Sequence, residues 1–182
     1  MAGQFGATVT IDRPIEQVFA FLADGENDKK FSPRVLEIAK TTDGPPGLGT
    51  VYASTVKDAG MKTKREFKLT EFDAPTKIRW TETSKNIVFV PEGGYDFSPA
   101  GEGKTELHVF NELRGKGPGV LFVGLALRSA RKGADEFAAA IKKAVEASRA
   151  RAILRHRTRA GGLYSARARP RRRSSAGRAF HS

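Results

Sequence analysis

Apolar and polar residues alternate along this chain with two different periods. From Thr63 to Phe72, Arg65, Phe67 and Leu69 fall on one face and Lys64, Glu66 and Lys68 on the other. Lys77–Thr83 puts Ile78, Trp80 and Glu82 together, and Thr105–Leu113 does the same for Leu107, Val109, Asn111 and Leu113. A period of two belongs to a strand with one buried face. Ala7–Ile11, Val35–Ala39, Gly49–Lys57, Ile87–Val90 and Gly94–Ser98 read as further strand pieces. Turn-forming clusters part them: Asp43-Gly44-Pro45-Pro46-Gly47, Asp58-Ala59-Gly60, Asp73-Ala74-Pro75 and Pro91-Glu92-Gly93. Period-two runs joined by short turns predict an antiparallel meander.

The helical period occurs twice. Asp12-Arg13-Pro14 predicts a helix start with Asp12 or Arg13 as the cap, and Ile15, Val18, Phe19 and Leu22 then form a short amphipathic stripe. Ala23–Lys30 is polar and turn-like, with room for one more helical turn. The second stripe is long. Between Pro118 and Ser148, Val123, Leu127, Ala130, Ala134, Phe137, Ile141 and Val145 recur at steps of three and four. Arg128, Lys132, Asp135, Lys142, Lys143 and Glu146 fall between them as a wetted face. At 1.5 Å per residue the predicted helix is roughly 45 Å long. Val120–Leu127 is apolar nearly all round and is expected to be deeply buried; Ala130, Ala134 and Ala138 are small, which means close packing or empty room beside the helix. The order of elements predicts an α+β fold: one or two short helices after the first strand, then a curved antiparallel sheet of about six to seven strands wrapped around a long C-terminal helix.

Charge divides the chain. The net charge of +12 comes almost wholly from residues 149–182, which hold eleven arginines, no lysine and no acid. Residues 1–148 hold 21 basic against 20 acidic residues. Residues 1–148 are therefore expected to be one domain, and 149–182 a helix extension followed by a disordered basic tail. Arginines between Arg149 and Arg178 would draw a polyanion, either nucleic acid or an anionic membrane, and nucleic acid without sequence preference, since no aromatic platform interleaves them to stack bases. Arg171-Arg172-Arg173-Ser174-Ser175 resembles a basophilic phosphorylation site, and the abrupt loss of lysine equally suits an extension without a selected role. The absence of cysteine excludes disulfides, thiolate metal sites and a thiol nucleophile. His108 is the one histidine before residue 149, which argues against a histidine metal cluster or triad. The chain starts without a basic, apolar leader, and its longest strongly apolar run, Gly119–Leu127, is about half a membrane span. These features predict a cytoplasmic protein with no transmembrane segment, and nothing in them calls for a cofactor.

Several stretches taken together resemble a known family: ATVTIDRPIEQVFAFLAD, ENDKKFSP, GLGTVY, LTEFDAPTKIRW, YDFSPAGEGKTELHV and the closing helix, in that order. Over residues 5–148 the chain resembles the START-like (SRPBCC) superfamily of helix-grip proteins, in its polyketide cyclase/dehydrase and lipid-transport branch. The resemblance implies a hydrophobic cavity between sheet and last helix that holds a small hydrophobic or aromatic ligand. Members include carriers, receptors and cyclases, so the fold alone does not choose among them.

The inward phase of the strands and of the helix defines the candidate cavity residues: Arg65, Phe67, Trp80, Glu82, Tyr95, Phe97 and Asn111 from the sheet, and Leu127, Ala130, Ala134, Phe137 and Ile141 from the helix. Mostly apolar walls with a few placed polar groups are what a small-molecule site requires. The aromatic members are also what a plain core would contain. Arg65, Glu82 and Asn111 need a reason to sit on an apolar face. One reason is catalysis, with Arg65 stabilising an enolate oxygen and Glu82 or Tyr95 moving a proton, as in a polyketide cyclase or dehydratase. The other is an Arg65–Glu82 ion pair that satisfies itself. Gly101-Glu102-Gly103-Lys104-Thr105 ends like a phosphate loop, but that motif wants glycine where Ser98 stands and a helix where Thr105 begins a strand, so it reads as a hairpin turn.

Overall fold

The computed structural model of the chain describes residues 2–58 and 60–161, of which residues 149–161 are described as backbone alone. The chain divides into two compact units, Met1–Ser148 and Arg149–Ser182. The first holds the sheet. Its strands are β1 (Ala2–Ile11), β2 (Val35–Lys40), β3 (Val51–Asp58), β4 (Met61–Asp73), β5 (Lys77–Glu82), β6 (Val88–Phe89), β7 (Gly93–Pro99) and β8 (Thr105–Gly115). Their order across the sheet is β1-β8-β7-β5-β4-β3-β2, with the short β6 paired to β8. Every pairing is antiparallel.

The meander runs from β2 to β8, and β1 closes it by lying along β8, from Ala2 opposite Arg114 to Ile11 opposite Thr105. The first strand is five residues longer than its alternation predicts, because Ala2 to Gly6 gain ladder hydrogen bonds from β8 whatever their side chains. The connection from β1 to β2 must then travel from one edge of the sheet to the other. It does so through α1 (Ile15–Ala23) and a 3-10 turn at Gly25–Lys30. Register shifts between Val35 and Glu37 on β2 and between Leu69 and Glu71 on β4 mark bulges, which bend strands and let a sheet curl. The β7–β8 turn is a hairpin, with Gly101 and Gly103 at positive φ, and the phosphate-loop likeness ends there.

The core lies between the sheet and the helices. Ile11, Val18, Ile78, Leu107, Ile141 and Val145 are essentially inaccessible. Phe19 from α1 packs its ring on Phe72 and Phe97, with centroids 5.2 and 5.3 Å away. The Asp12-Arg13 corner does not cap α1 through a side chain; Pro14 stands at the cap position. That corner is tied to the last helix instead. The Asp12 backbone N–H donates to Glu146 at 2.9 Å, Arg13 donates to the Glu146 carbonyl at 2.7 Å, and Lys142 bridges Asp12 and Glu146.

The C-terminal region is two helices, not one rod. α2 spans Gly119–Lys132 and α3 spans Ala134–Gly161. At Gly133 the backbone leaves helical geometry (φ −96°, ψ 2°) and its N–H bonds back to the Ser129 carbonyl at 3.2 Å. Glycine leaves a helix at low steric cost. α2 also corrects the burial expected of its apolar run. Val123 and Leu127 are buried, but Leu121, Phe122 and Leu125 are 83%, 56% and 73% exposed. The reason is geometric: α2 packs chiefly against β8, β1 and β6, and a helix covered on one side buries one stripe. The backbone of α3 continues to Gly161, and the tail expected beyond it lies outside the described residues. Among the described residues no helix is long and apolar enough to cross a membrane.

Candidate functional site

Between the sheet and the helices lies a cavity of ≈ 1340 Å³. Its walls come from all eight strands, the end of α1, the 3-10 turn, α2 and the start of α3. Most of the lining is apolar, including Leu22, Val56, Leu69, Ile78, Val90 and Val109. Eight of the sequence-derived candidates reach the wall: Arg65, Phe67, Trp80, Tyr95, Asn111, Ala130, Ala134 and Phe137. Ala130, Gly133 and Ala134 meet the cavity where the two helices join, so small side chains here face open volume.

Four candidates stand behind the wall. Phe97 is held between the rings of Phe19 and Tyr95. Ile141 is fully buried in the core, and Leu127 packs where Gly3 of β1 leaves space for it. Glu82 is the fourth. Its side chain has no accessible surface, and its carboxylate accepts from Arg65 at 2.6 Å, the Val90 backbone N–H at 2.9 Å, Asn86 at 2.7 Å and Ser84 at 2.5 Å. Four donors occupy both oxygens. Of the two readings of Arg65 and Glu82, the ion pair is the one found, and Glu82 has no route to a ligand's proton. Arg65 itself lies at the wall, its charge neutralised from behind.

Trp80 and Asn111 are linked across β7. The indole N–H donates to the Asn111 side-chain oxygen at 3.2 Å, and the Trp80 ring meets Tyr95 edge-on at 4.9 Å. Tyr95 is buried, and its pKa lies well above the ordinary phenol value because burial disfavours the phenolate and the charge of Asp28 adds to this. Tyr52, opposite on β3, donates to the Ala23 carbonyl at 3.3 Å, and burial raises its phenol as well. Arg34 also lines the cavity; burial lowers its guanidinium, with the nearby positive charge of Arg65 as the second cause.

Asp28 is the residue that sequence reasoning missed. It sits in Gly25–Lys30, a stretch that reads as a wetted turn. Phe21 and Phe31 flank the turn in sequence, their buried rings 6.4 Å apart, and Asp28, half-buried, lines the cavity. Desolvation pushes its carboxyl up to about 7, with Asp24 as a lesser cause. The apolar residues on both sides of the polar run were the available signal. Among the described residues no cluster of side chains could hold a metal ion.

Residues 3–146 match the family model described as polyketide cyclase / dehydrase and lipid transport, and the chain belongs to that family. Solved structures of the same fold include TTHA0849 from Thermus thermophilus, with 19% identity, TM-score 0.67, and 80% of this chain covered against 99% of that one. The Zhui aromatase/cyclase from Streptomyces sp. R1128 has 17% identity and TM-score 0.67, with 80% and 94% covered. A START superfamily protein from Mycobacterium smegmatis has 18% identity and TM-score 0.57, with 79% and 94% covered. At these identities the likeness is one of fold. Comparison with curated proteins returned no match.

Proposed function

We propose that this chain binds a small hydrophobic or aromatic molecule, lipid- or polyketide-like, between its sheet and its C-terminal helices. The observation that carries this is the apolar cavity of ≈ 1340 Å³ with a few polar groups set into its wall. A large apolar hollow with convergent polar groups is the usual form of a small-molecule site. The test is filling it. Ala130→Trp together with Ala134→Phe should keep the thermal transition and abolish binding of 2-ethylnaphthalene, measured by calorimetry. Native mass spectrometry of the purified chain should show a carried apolar ligand. Equal binding by the filled variant would end this reading.

A second reading, cyclase or dehydratase chemistry, is favoured by the Arg65 guanidinium and Tyr95 phenol on one wall. Arg65 would stabilise an enolate and Tyr95 would transfer the proton. Turnover of a poly-β-ketone lost in Arg65→Ala, with ligand binding retained, separates catalyst from carrier.

A further inference from the structure

Two polar groups on the cavity wall have no hydrogen-bond partner among the described residues. Tyr95 of β7 is 6% exposed, and among the described residues nothing hydrogen-bonds its hydroxyl. Asp28 of the 3-10 turn likewise has no partner for its carboxyl among the described residues. Neither group is sealed away; both contribute to the cavity surface. Buried phenols are ordinarily satisfied, and Asp28, half-buried, turns its unpartnered carboxyl to the same cavity, so two such groups on one space call for an explanation. We propose that Asp28 and Tyr95 form a two-donor pole that holds a ligand oxygen: a ketone, enol or phenol oxygen on an otherwise apolar skeleton. This rests on the cavity being a ligand site and specifies what that ligand carries.

The polarity of the pole follows from its surroundings. Tyr95 stays a phenol across the neutral range and so offers a proton. Asp28 sits near neutrality, so its acid form is abundant and donates as well. A carboxylic acid kept protonated by an apolar site is a known way to present a donor to a carbonyl oxygen. Desolvation keeps it so, and the charged groups around Asp28 do not offset it. Asp24, on its own segment, repels the carboxylate. Lys30 is turned away, onto Asn27 and the face of Phe21. On β2, which packs against the turn, the Lys40 side chain is bonded to the Thr42 carbonyl and its backbone N–H to Glu26. Tyr52 of β3 gives its hydroxyl proton to Ala23. From α3 comes Phe137, which packs on Phe31. Arg34 and Arg65 share the cavity but are not among the causes that set the Asp28 carboxyl.

The experiment compares three probes of one skeleton on the full chain by calorimetry: 2-acetylnaphthalene, 2-ethylnaphthalene and 2-naphthylmethylamine. The ketone should bind more tightly than the ethyl compound at about pH 6 and lose about tenfold by about pH 8, as the acid form falls from roughly nine-tenths to one-tenth. Asp28→Asn keeps an N–H donor and should flatten that profile with ketone preference retained. Tyr95→Phe should reduce the preference at every pH. If ketone and ethyl probes bind equally at both pH values, the pole is overturned and the cavity reading survives. If neither binds, the cavity reading falls and the pole with it. If the amine gains affinity as pH rises while the ketone shows no preference, the pole is an ammonium site and the proposal is wrong.

Discussion

The Trp80 indole N–H donates to the Asn111 side-chain oxygen at 3.2 Å, directly over Gly93. Gly93 pairs with Trp80 on one side and Asn111 on the other, so the three stand in one row across β5, β7 and β8. A Cβ added at Gly93 would lie 2.3 Å from both bonded atoms. Gly93→Ala should therefore push the ring and the amide apart and cost about 1–3 kcal/mol, as overpacking does. Gly47→Ala, where a Cβ meets nothing within 4 Å, is the control for urea unfolding. Equal midpoints for the two variants would contradict the account.

Glu82 holds Arg65 from behind the cavity wall with its side chain fully covered. Glu82→Gln removes the buried charge that accepts from Arg65 at 2.6 Å, at a cost on the order of 3 kcal/mol. Glu66→Gln, on the exposed face of the neighbouring position, should stay within about 0.5 kcal/mol of wild type. Chemical denaturation of both variants checks the contrast.

Asp28 gives the fold a defined pH dependence. Its carboxyl is raised from 3.8 to about 7, so the folded state holds a proton that the unfolded chain has released. Its contribution is neutral below the unfolded value and turns increasingly unfavourable as pH rises to about 7, above which it is constant. Asp28→Asn should therefore match wild type near pH 4 and exceed it above neutrality, by on the order of 4 kcal/mol for the full shift. Melting temperatures of the two proteins across this range test it. Parallel curves would show that Asp28 is solvated.

α2 predicts a contrast between neighbours. Leu127→Ala, at a buried position, should cost about 2–5 kcal/mol. Leu125→Ala, at a position 73% exposed, should cost no more than about 0.5 kcal/mol. Equal costs would mean that α2 faces the sheet by another stripe.

The strands were legible because their alternation is a local record of which face is wet. It placed Arg65, Phe67, Trp80 and Asn111 on the inward side without reference to any partner strand. It could not tell wall from core. Phe97 and Trp80 share the same kind of phase, and only the position of α1 decides that Phe97 is covered by Phe19 while Trp80 is not. Glu82 was legible as a misfit, but its satisfaction depends on Ser84, Asn86 and Val90 in an irregular stretch with no period. Asp28 was hidden for the opposite reason. A run of polar residues reads as solvent-facing, and most of this one is; that Asp28 alone among its acids lines the cavity depends on the crossing between sheet edges. The break at Gly133 carried a local mark, a glycine inside an otherwise unbroken stripe. The exposure of Leu121 and Leu125 carried none, since an apolar run does not say how many neighbours the helix will have.

The interruption at Gly133 gives the two C-terminal helices different jobs. α3 supplies Ala138, Ile141 and Val145, which belong to the packed interior, whereas α2 supplies Phe122, Ala126 and Ala130 to the ceiling of the hollow. The division is one of degree: Ala134 and Phe137 of α3 also reach the wall, and Val123 and Leu127 of α2 are buried. The volume of the hollow can therefore be altered from α2 at Ala126 and Ala130, while Val123 and Leu127 on the same helix stay as they are.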